Sequence, residues 1–152
     1  MKRSRGFTLL ELLVVLLIVG ILAAIGVYSL SITRAMNRDT KRVSDISVLR
    51  ASLSQFWLQK ATYPQADPVD LGRPGANADR IANSGLVAAN VQDSPTFLDA
   101  VPTGPKAGEY YRYHGSAHGY SIRFITERPT AYGAAGTWYA HSDGVDHEDS
   151  EK

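Results

Sequence analysis

An apolar run from Phe7 to Tyr28 constrains this chain more than any other feature of its sequence. Only four of its 22 residues are not clearly apolar: Thr8, Glu11, Gly20 and Gly26. At about 1.5 Å rise per residue, a helix of this length covers roughly 33 Å, which matches a bilayer core. The run exceeds the apolar stretch of a secretory signal peptide, and no A-x-A-like cleavage site follows it. The sequence therefore predicts a membrane-spanning helix.

Three basic residues with no acid among them precede the apolar run: Lys2, Arg3 and Arg5. By the positive-inside rule they keep the N-terminus cytoplasmic and send the C-terminal part across the membrane. The chain has a net charge of +1, but without these three residues 13 basic groups face 15 acidic ones. Because a dedicated nucleic-acid binder has a strongly basic body, nucleic acid is not predicted as a direct partner.

Glu11 places a carboxylate near the start of the apolar run. A charge inside a bilayer segment costs roughly 2.5–3.5 kcal/mol on insertion scales, so the chain must use this charge or neutralise it. We expect Glu11 to have a specific partner. The alternative is an acid that lies at the membrane interface of a plain single-pass anchor.

Beyond the apolar run, the helical pattern continues to about Lys60, because no proline occurs before Pro64. Apolar residues spaced three or four apart predict one buried stripe, with Trp57 adjoining: Val43, Ile46, Leu49, Leu53 and Phe56. Polar side chains are expected largely on the other sides of the helix: Arg38, Lys41, Arg42, Asp45, Arg50 and Gln55. This amphipathic half needs a surface to pack against.

The remainder of the chain predicts a small mixed domain. Proline and glycine mark a loop over 61–80, and a short helix is expected between Ala78 and Ala89, with Ile81 and Leu86 facing inward. An irregular stretch follows, anchored by three apolar residues: Phe97, Leu98 and Val101. Residues 109–114 and 120–124 form a predicted hairpin, and 137–141 supply a third strand. An antiparallel sheet on the amphipathic helix gives an α+β fold. Five aromatic residues are expected in the sheet core: Tyr110, Tyr111, Tyr113, Tyr120 and Phe124.

The junction at the start of the apolar run closely resembles the class III signal of type IV pilins and type II secretion pseudopilins. The resemblance rests on Arg5-Gly6-Phe7-Thr8-Leu9-Leu10-Glu11-Leu12-Leu13-Val14-Val15, and it extends less closely along the helix of small pilins related to pseudopilin G. It implies a pilin-like fold in five segments: leader 1–6, membrane or filament-core helix 7–30, amphipathic helix 31–60, head 61–142 and acidic tail 143–152.

The resemblance also implies processing and assembly. A prepilin peptidase cleaves between Gly6 and Phe7 and methylates the new amine on Phe7. That ammonium meets Glu11 of a neighbouring subunit as an inter-subunit ion pair, so that Glu11 recruits the next subunit and sets its register. The implied partners are copies of this chain in a helical homopolymer, membrane lipid before assembly, an inner-membrane platform protein and an assembly ATPase.

Two filament types are compatible with these features. The main prediction is a type IV pilus, an extracellular filament for adhesion, motility or DNA uptake, and the alternative is the periplasmic pseudopilus of a type II secretion system. Many type IV pilins have a proline within the apolar helix and a disulfide in the C-terminal region. The apolar run here has no proline and the chain has no cysteine, and this departure from the resemblance favours a pseudopilin-like or otherwise divergent pilin. A single-pass anchored binding domain is a third hypothesis. No catalytic constellation is visible, so no enzymatic activity is predicted.

Other candidate sites lie outside the helix. Ser142-Asp143-Gly144 resembles the calcium loop of pseudopilin G, which makes Asp143, Asp146 and Asp149 calcium candidates; the alternative is a solvated acidic tail that frays from Asp143 onward. No other cofactor is predicted. The four histidines lack the spacing of metal ligands within one element, which favours surface or packing roles: His114, His118, His141 and His147.

Overall fold

The computed structural model describes residues 7–152 of the chain. One long helix, α1, runs from Leu9 to Lys60, as the uninterrupted composition predicts. The chain divides after Ala35 into two compact units, so the first part of α1 belongs to one unit and the rest to the other. Ala61 ends α1 with a positive φ of 53°, and its amide donates to the carbonyl of Trp57 at 2.8 Å.

In the first unit, the apolar side chains of α1 are solvent-exposed in the isolated chain. Leu9 is 82% exposed and Tyr28 is 70% exposed, and the residues between them follow the same trend. Among the described residues, one helix is long and apolar enough to cross a membrane, and it is this one. A soluble monomer rarely leaves a contiguous apolar surface of this kind uncovered.

The second unit contains two antiparallel sheets. The larger sheet has the strand order β1-β5-β6-β7-β8, and the smaller has the order β3-β2-β4. The strands are β1 Ala66–Asp70, β2 Arg80–Ala82, β3 Gly85–Val87, β4 Thr96–Leu98, β5 Arg112–Gly115, β6 Tyr120–Thr126, β7 Gly136–Ala140 and β8 Val145–Asp146. The predicted hairpin is β5–β6 and the predicted third strand is β7, so both predictions are confirmed.

The core of this unit lies between the amphipathic part of α1 and the larger sheet. Helix residues Ile46, Leu49, Leu53 and Phe56 are at most 4% exposed, whereas Val43 is half-buried at the edge. Four buried aromatic residues of the sheet and its preceding loop complete the core: Tyr111, Tyr113, Tyr120 and Phe124. The predicted stripe is confirmed, and so is the aromatic core apart from Tyr110, which is half-buried outside it.

The predicted helix between Ala78 and Ala89 is wrong. This segment forms the β2–β3 hairpin, in which Ala82 pairs with Gly85 and the turn consists of Asn83 and Ser84. Asparagine, serine and glycine favour a tight turn, and Gly85 has a φ of +118° that other residues rarely adopt. Ile81 is nevertheless buried, because β2 presents it to the same core.

The anchoring role predicted for the stretch after this hairpin is confirmed. Phe97 and Leu98 are half-buried against the core as part of β4, and Val101 is 8% exposed. The ring of Phe97 meets that of Phe56 edge to face, with 5.1 Å between centroids. The smaller sheet is thereby tied to the helix.

The acidic tail is folded, and the prediction that it frays from Asp143 is wrong. Val145 and Asp146 pair with β7 as the last strand of the larger sheet. The Nζ atom of Lys152 lies 2.7 Å from Asp146 Oδ2 and 2.5 Å from Glu148 Oε2. The Lys152 ammonium thus neutralises part of the negative charge of this segment.

Candidate functional site

The helix start carries the candidate assembly residues. Gly6 lies outside the described residues, so the predicted cleavage point is only partly covered by the structure. Phe7 is described; it is 74% exposed and lies two residues before the start of α1 at Leu9. Glu11 lies in the first turn of the helix, at its third residue.

Glu11 also belongs to a helix cap that the sequence interpretation missed. The hydroxyl of Thr8 accepts a hydrogen bond from the Glu11 amide at 3.2 Å, and the Thr8 carbonyl accepts one from Leu12 at 3.2 Å. The spacing Thr8-x-x-Glu11 matches the capping-box pattern, in which the hydroxyl satisfies a free helix amide. The cap could therefore have been predicted from this spacing in the sequence. The cap uses the backbone amide of Glu11, so the Glu11 side chain takes no part in it.

The carboxylate of Glu11 is exposed and makes no hydrogen bond or ion pair with any residue in 7–152. An acid in the first turn interacts favourably with the helix dipole, by about 0.3–1 kcal/mol. That interaction leaves the carboxylate oxygens available to a cation from outside the chain. The geometry is compatible with the predicted inter-subunit pair, which stays a prediction.

A second polar cluster joins α1 to the head. Arg42 is only 2% exposed, and its guanidinium contacts three carboxylates: Asp39 at 2.7 Å, Glu109 at 2.6 Å and Glu127 at 2.8 Å. Its Nε and Nη2 atoms donate in parallel to the two oxygens of Glu109. Placing Arg42 on the solvent side of the helix was wrong. Counting back from Ile46 by four residues and then by three gives Arg42 and Asp39. The buried face of the helix therefore includes both residues.

Asp39 is satisfied by backbone as well as by Arg42. Its carboxylate accepts from the amides of Glu127 at 3.0 Å and Arg128 at 2.8 Å, just after β6. Glu127 also receives a two-pronged contact from Arg38, at 2.8 and 2.6 Å. The hydrogen bond from Arg38 chiefly, with help from Arg42 and Lys106, holds the pKa of Glu127 far below its usual range. These contacts fix the register of the helix against the β6–β7 connection.

We expect acid to weaken this cluster. Since the pKa of Glu127 is lower in the folded chain than its ordinary value of 4.5, its contribution is complete above about pH 4.5 and falls as the pH drops below that value. Urea unfolding between pH 7 and pH 3 of the full chain and of Glu127→Gln measures this. The free energy of unfolding of the full chain should exceed that of Glu127→Gln most at pH 7, and this gap should shrink below about pH 4.5. A gap independent of pH would contradict the expectation.

The calcium candidates do not converge on one empty position. Asp146 binds Lys152, the amide of Glu148 and the Nε2 atom of His141, and the Lys152 ammonium is the main reason its pKa is low. Asp149 accepts from the Ser121 hydroxyl at 3.0 Å, whereas Asp143 is exposed. Within residues 7–152, no group of three or more His, Asp or Glu side chains is arranged so that it could hold a metal ion. Calcium binding stays a prediction.

The four histidines are dispersed, as their sequence spacing predicts. His141 is fully buried, and its Nδ1 atom lies 3.1 Å from the Tyr120 carbonyl. His147 stacks on Trp138 with 3.8 Å between centroids, and His114 pairs with Glu151 at 2.7 Å. His118 is exposed in the β5–β6 turn. These are packing and surface roles.

A long apolar helix behind a basic start, an antiparallel head and a helix-start acid define the class of pilin-like subunits. The family model described as "Prokaryotic N-terminal methylation motif" matches residues 1–27. The chain is 30% identical to Type II secretion system core protein G of Klebsiella pneumoniae over 119 residues, which are 78% of this chain and 81% of that protein. The chain belongs to the type IV pilin and pseudopilin family, a family of structural subunits.

Two further relatives show the range of the family. Type II secretion system core protein G of Dickeya chrysanthemi is 39% identical over 66 residues, 43% of each chain. A fimbrial protein of Pseudomonas aeruginosa is 38% identical over 71 residues, 46% of each chain. The comparison with solved structures gave no significant match.

Proposed function

We propose that this chain is a prepilin whose mature form is the repeating subunit of a type II secretion pseudopilus. The observation that carries the proposal is the 119-residue similarity to core protein G, which is too long to be confined to the 52-residue helix. Similarity across the head matters because the apolar helix is shared by pilins and pseudopilins alike. The missing proline and cysteine favour the same choice.

A type IV pilus is the second candidate, and the similarity to a fimbrial protein favours it. That match covers less than half of either chain. In this version the filament is extracellular and serves adhesion, motility or DNA uptake. The two versions share the same subunit chemistry and differ in the machine that extends the filament.

In the proposed pathway the precursor is held in the cytoplasmic membrane by its apolar helix, with the N-terminus inside. A prepilin peptidase cuts after Gly6, and Phe7 gains a methylated ammonium. A methylated amine is still basic, so it remains a cation that can pair with Glu11 of the adjacent subunit. Pairing neutralises both groups away from water, which selects cleaved subunits in one axial register. A platform protein and an assembly ATPase move the subunit from lipid into the filament.

The processing step has a direct test. Mass spectrometry of chain purified from its host, combined with negative-stain microscopy, measures the N-terminus and the polymer together. We expect a chain that starts at Phe7 with one added methyl group and that forms filaments. An uncleaved or monomeric chain would contradict the proposal.

Deleting the gene separates the two filament types. Loss of protein export with surface filaments unchanged supports the pseudopilus. Loss of surface filaments containing this chain, with export intact, supports the pilus and overturns the primary choice.

A further inference from the structure

The outer face of the larger sheet carries two arginines in an unusual arrangement. Arg112 on β5 and Arg123 on β6 are register partners, so their side chains leave the same face side by side. Both are exposed, whereas the neighbouring Tyr113 and Ile122 face the core. Like charges directly opposite each other destabilise a strand pair. Among residues 7–152, no ion pair with Arg112 or Arg123 offsets this cost.

The acids near these arginines are engaged elsewhere. Asp70 lies opposite Arg112 in the register but pairs with Arg73 at 3.2 Å. Asp149 accepts from Ser121, and Glu151 pairs with His114. Within residues 7–152, neither Arg112 nor Arg123 has an acidic partner. Two guanidinium groups thus remain free to bind an anion, and each can hold a carboxylate or phosphate through parallel N–H donors.

These arginines line a groove and do not stand on a flat surface. The groove has a cavity volume of about 390 Å³, and Tyr139, the register partner of Arg123, forms part of its wall. A second cavity of about 400 Å³ adjoins it and shares Pro68 and Arg112. An extended ligand of more than one unit therefore has room along this face.

The other end of the groove favours hydroxyl groups over further negative charge. Ser121 and His114 are register partners, two residues along the strands from the arginine pair, which corresponds to about 7 Å. Asp149 lines this end, and its Oδ1 atom binds the Ser121 hydroxyl while Oδ2 is left to accept. The Asp149 carboxylate repels a negative group placed beside it but accepts hydrogen bonds from sugar hydroxyls. The distance is comparable to the span of one pyranose ring with its carboxylate.

We propose that this groove binds an acidic saccharide, a chain of uronic acid units. The carboxylate of one unit binds Arg112 and Arg123, its hydroxyls donate to Asp149, and its ring lies against Tyr139. The proposal is independent of whether the chain builds a pilus or a pseudopilus.

Isothermal titration calorimetry on the full chain in nonionic detergent micelles tests the proposal, with trigalacturonate as the probe. We expect binding that weakens roughly tenfold to a hundredfold in Arg112→Gln and in Arg123→Gln, the usual effect of losing a charge-assisted hydrogen bond. Arg128→Gln is the matched control, because Arg128 is exposed and lies outside the groove. It makes the same charge change and should leave binding unaltered.

The ligand class is tested with Asp149→Ala and three other probes: maltotriose, inorganic phosphate and a single-stranded oligonucleotide. For an acidic sugar, Asp149→Ala weakens binding severalfold; for a simple anion it strengthens binding, because a like charge is removed. Equal binding of maltotriose, tighter binding of phosphate or the oligonucleotide, or no binding of trigalacturonate would each overturn the proposal. So would an equal loss in Arg128→Gln.

Discussion

Replacing Glu11 with glutamine is expected to abolish filament assembly while leaving the helix start intact. Glutamine at this position leaves the helix cap in place, because the Thr8 hydroxyl binds the backbone amide of residue 11 and not its side chain. It cannot neutralise the ammonium on Phe7 of the next subunit, and an unpaired charge in a water-free core is strongly unfavourable. Since the same contact repeats at every subunit, we expect near-complete loss of sedimentable filaments, counted also by negative-stain microscopy.

The cap and the charge are separated by a matched variant. Thr8→Ala removes the hydroxyl that binds the Glu11 amide but keeps the carboxylate. It should cost about 1 kcal/mol at the helix end and leave assembly largely intact. Normal filaments in Glu11→Gln would refute the ion pair. Equal loss in both variants would assign the defect to the helix start, and membrane extraction of each variant verifies that both are inserted.

The helix and the main hairpin were predictable because their signals are local and repeated. No proline interrupts the chain before Pro64, and an apolar stripe every three or four residues indicates one buried face. Tyr120 to Phe124 alternates apolar and polar residues, and a glycine-bounded turn precedes it. These patterns need no knowledge of what the elements pack against.

The errors fall where a distant partner decides the structure. Composition makes 143–152 look like a solvated tail, but Lys152 lies among its acids and β7 offers an edge for pairing. From its helix position Arg42 is predicted to be a surface cation. Its partners Glu109 and Glu127 lie 67 and 85 residues further along the chain, and local sequence does not reveal them. In the Ala78–Ala89 segment the spacing of apolar residues led to the prediction of a helix, whereas Asn83 and Ser84 form the turn of a hairpin. Of the candidate site, sequence could supply Glu11 and Phe7, but not the free arginine pair on the sheet.

Replacing Arg42 with methionine is expected to destabilise the second unit more than any surface change. The substitution keeps the bulk of the buried stem but leaves the carboxylates of Asp39, Glu109 and Glu127 without their shared cation. Removing one partner of a buried ion pair costs roughly 3–5 kcal/mol, because an uncompensated charge stays behind. Urea unfolding of the full chain in detergent, followed by the fluorescence of Trp57 and Trp138, measures the loss.

Arg38→Met is the matched control for this prediction. Arg38 binds the same Glu127 carboxylate, but its side chain is 29% exposed, so water replaces much of what the substitution removes. Arg42→Lys should fall between the two, since an ammonium retains the charge but cannot reproduce the parallel contact with Glu109. A loss in Arg38→Met equal to that in Arg42→Met would show that burial does not set the value of these contacts. Near-native stability in Arg42→Met would show that the helix is held to the sheet by its apolar stripe alone, with the charge cluster contributing only register.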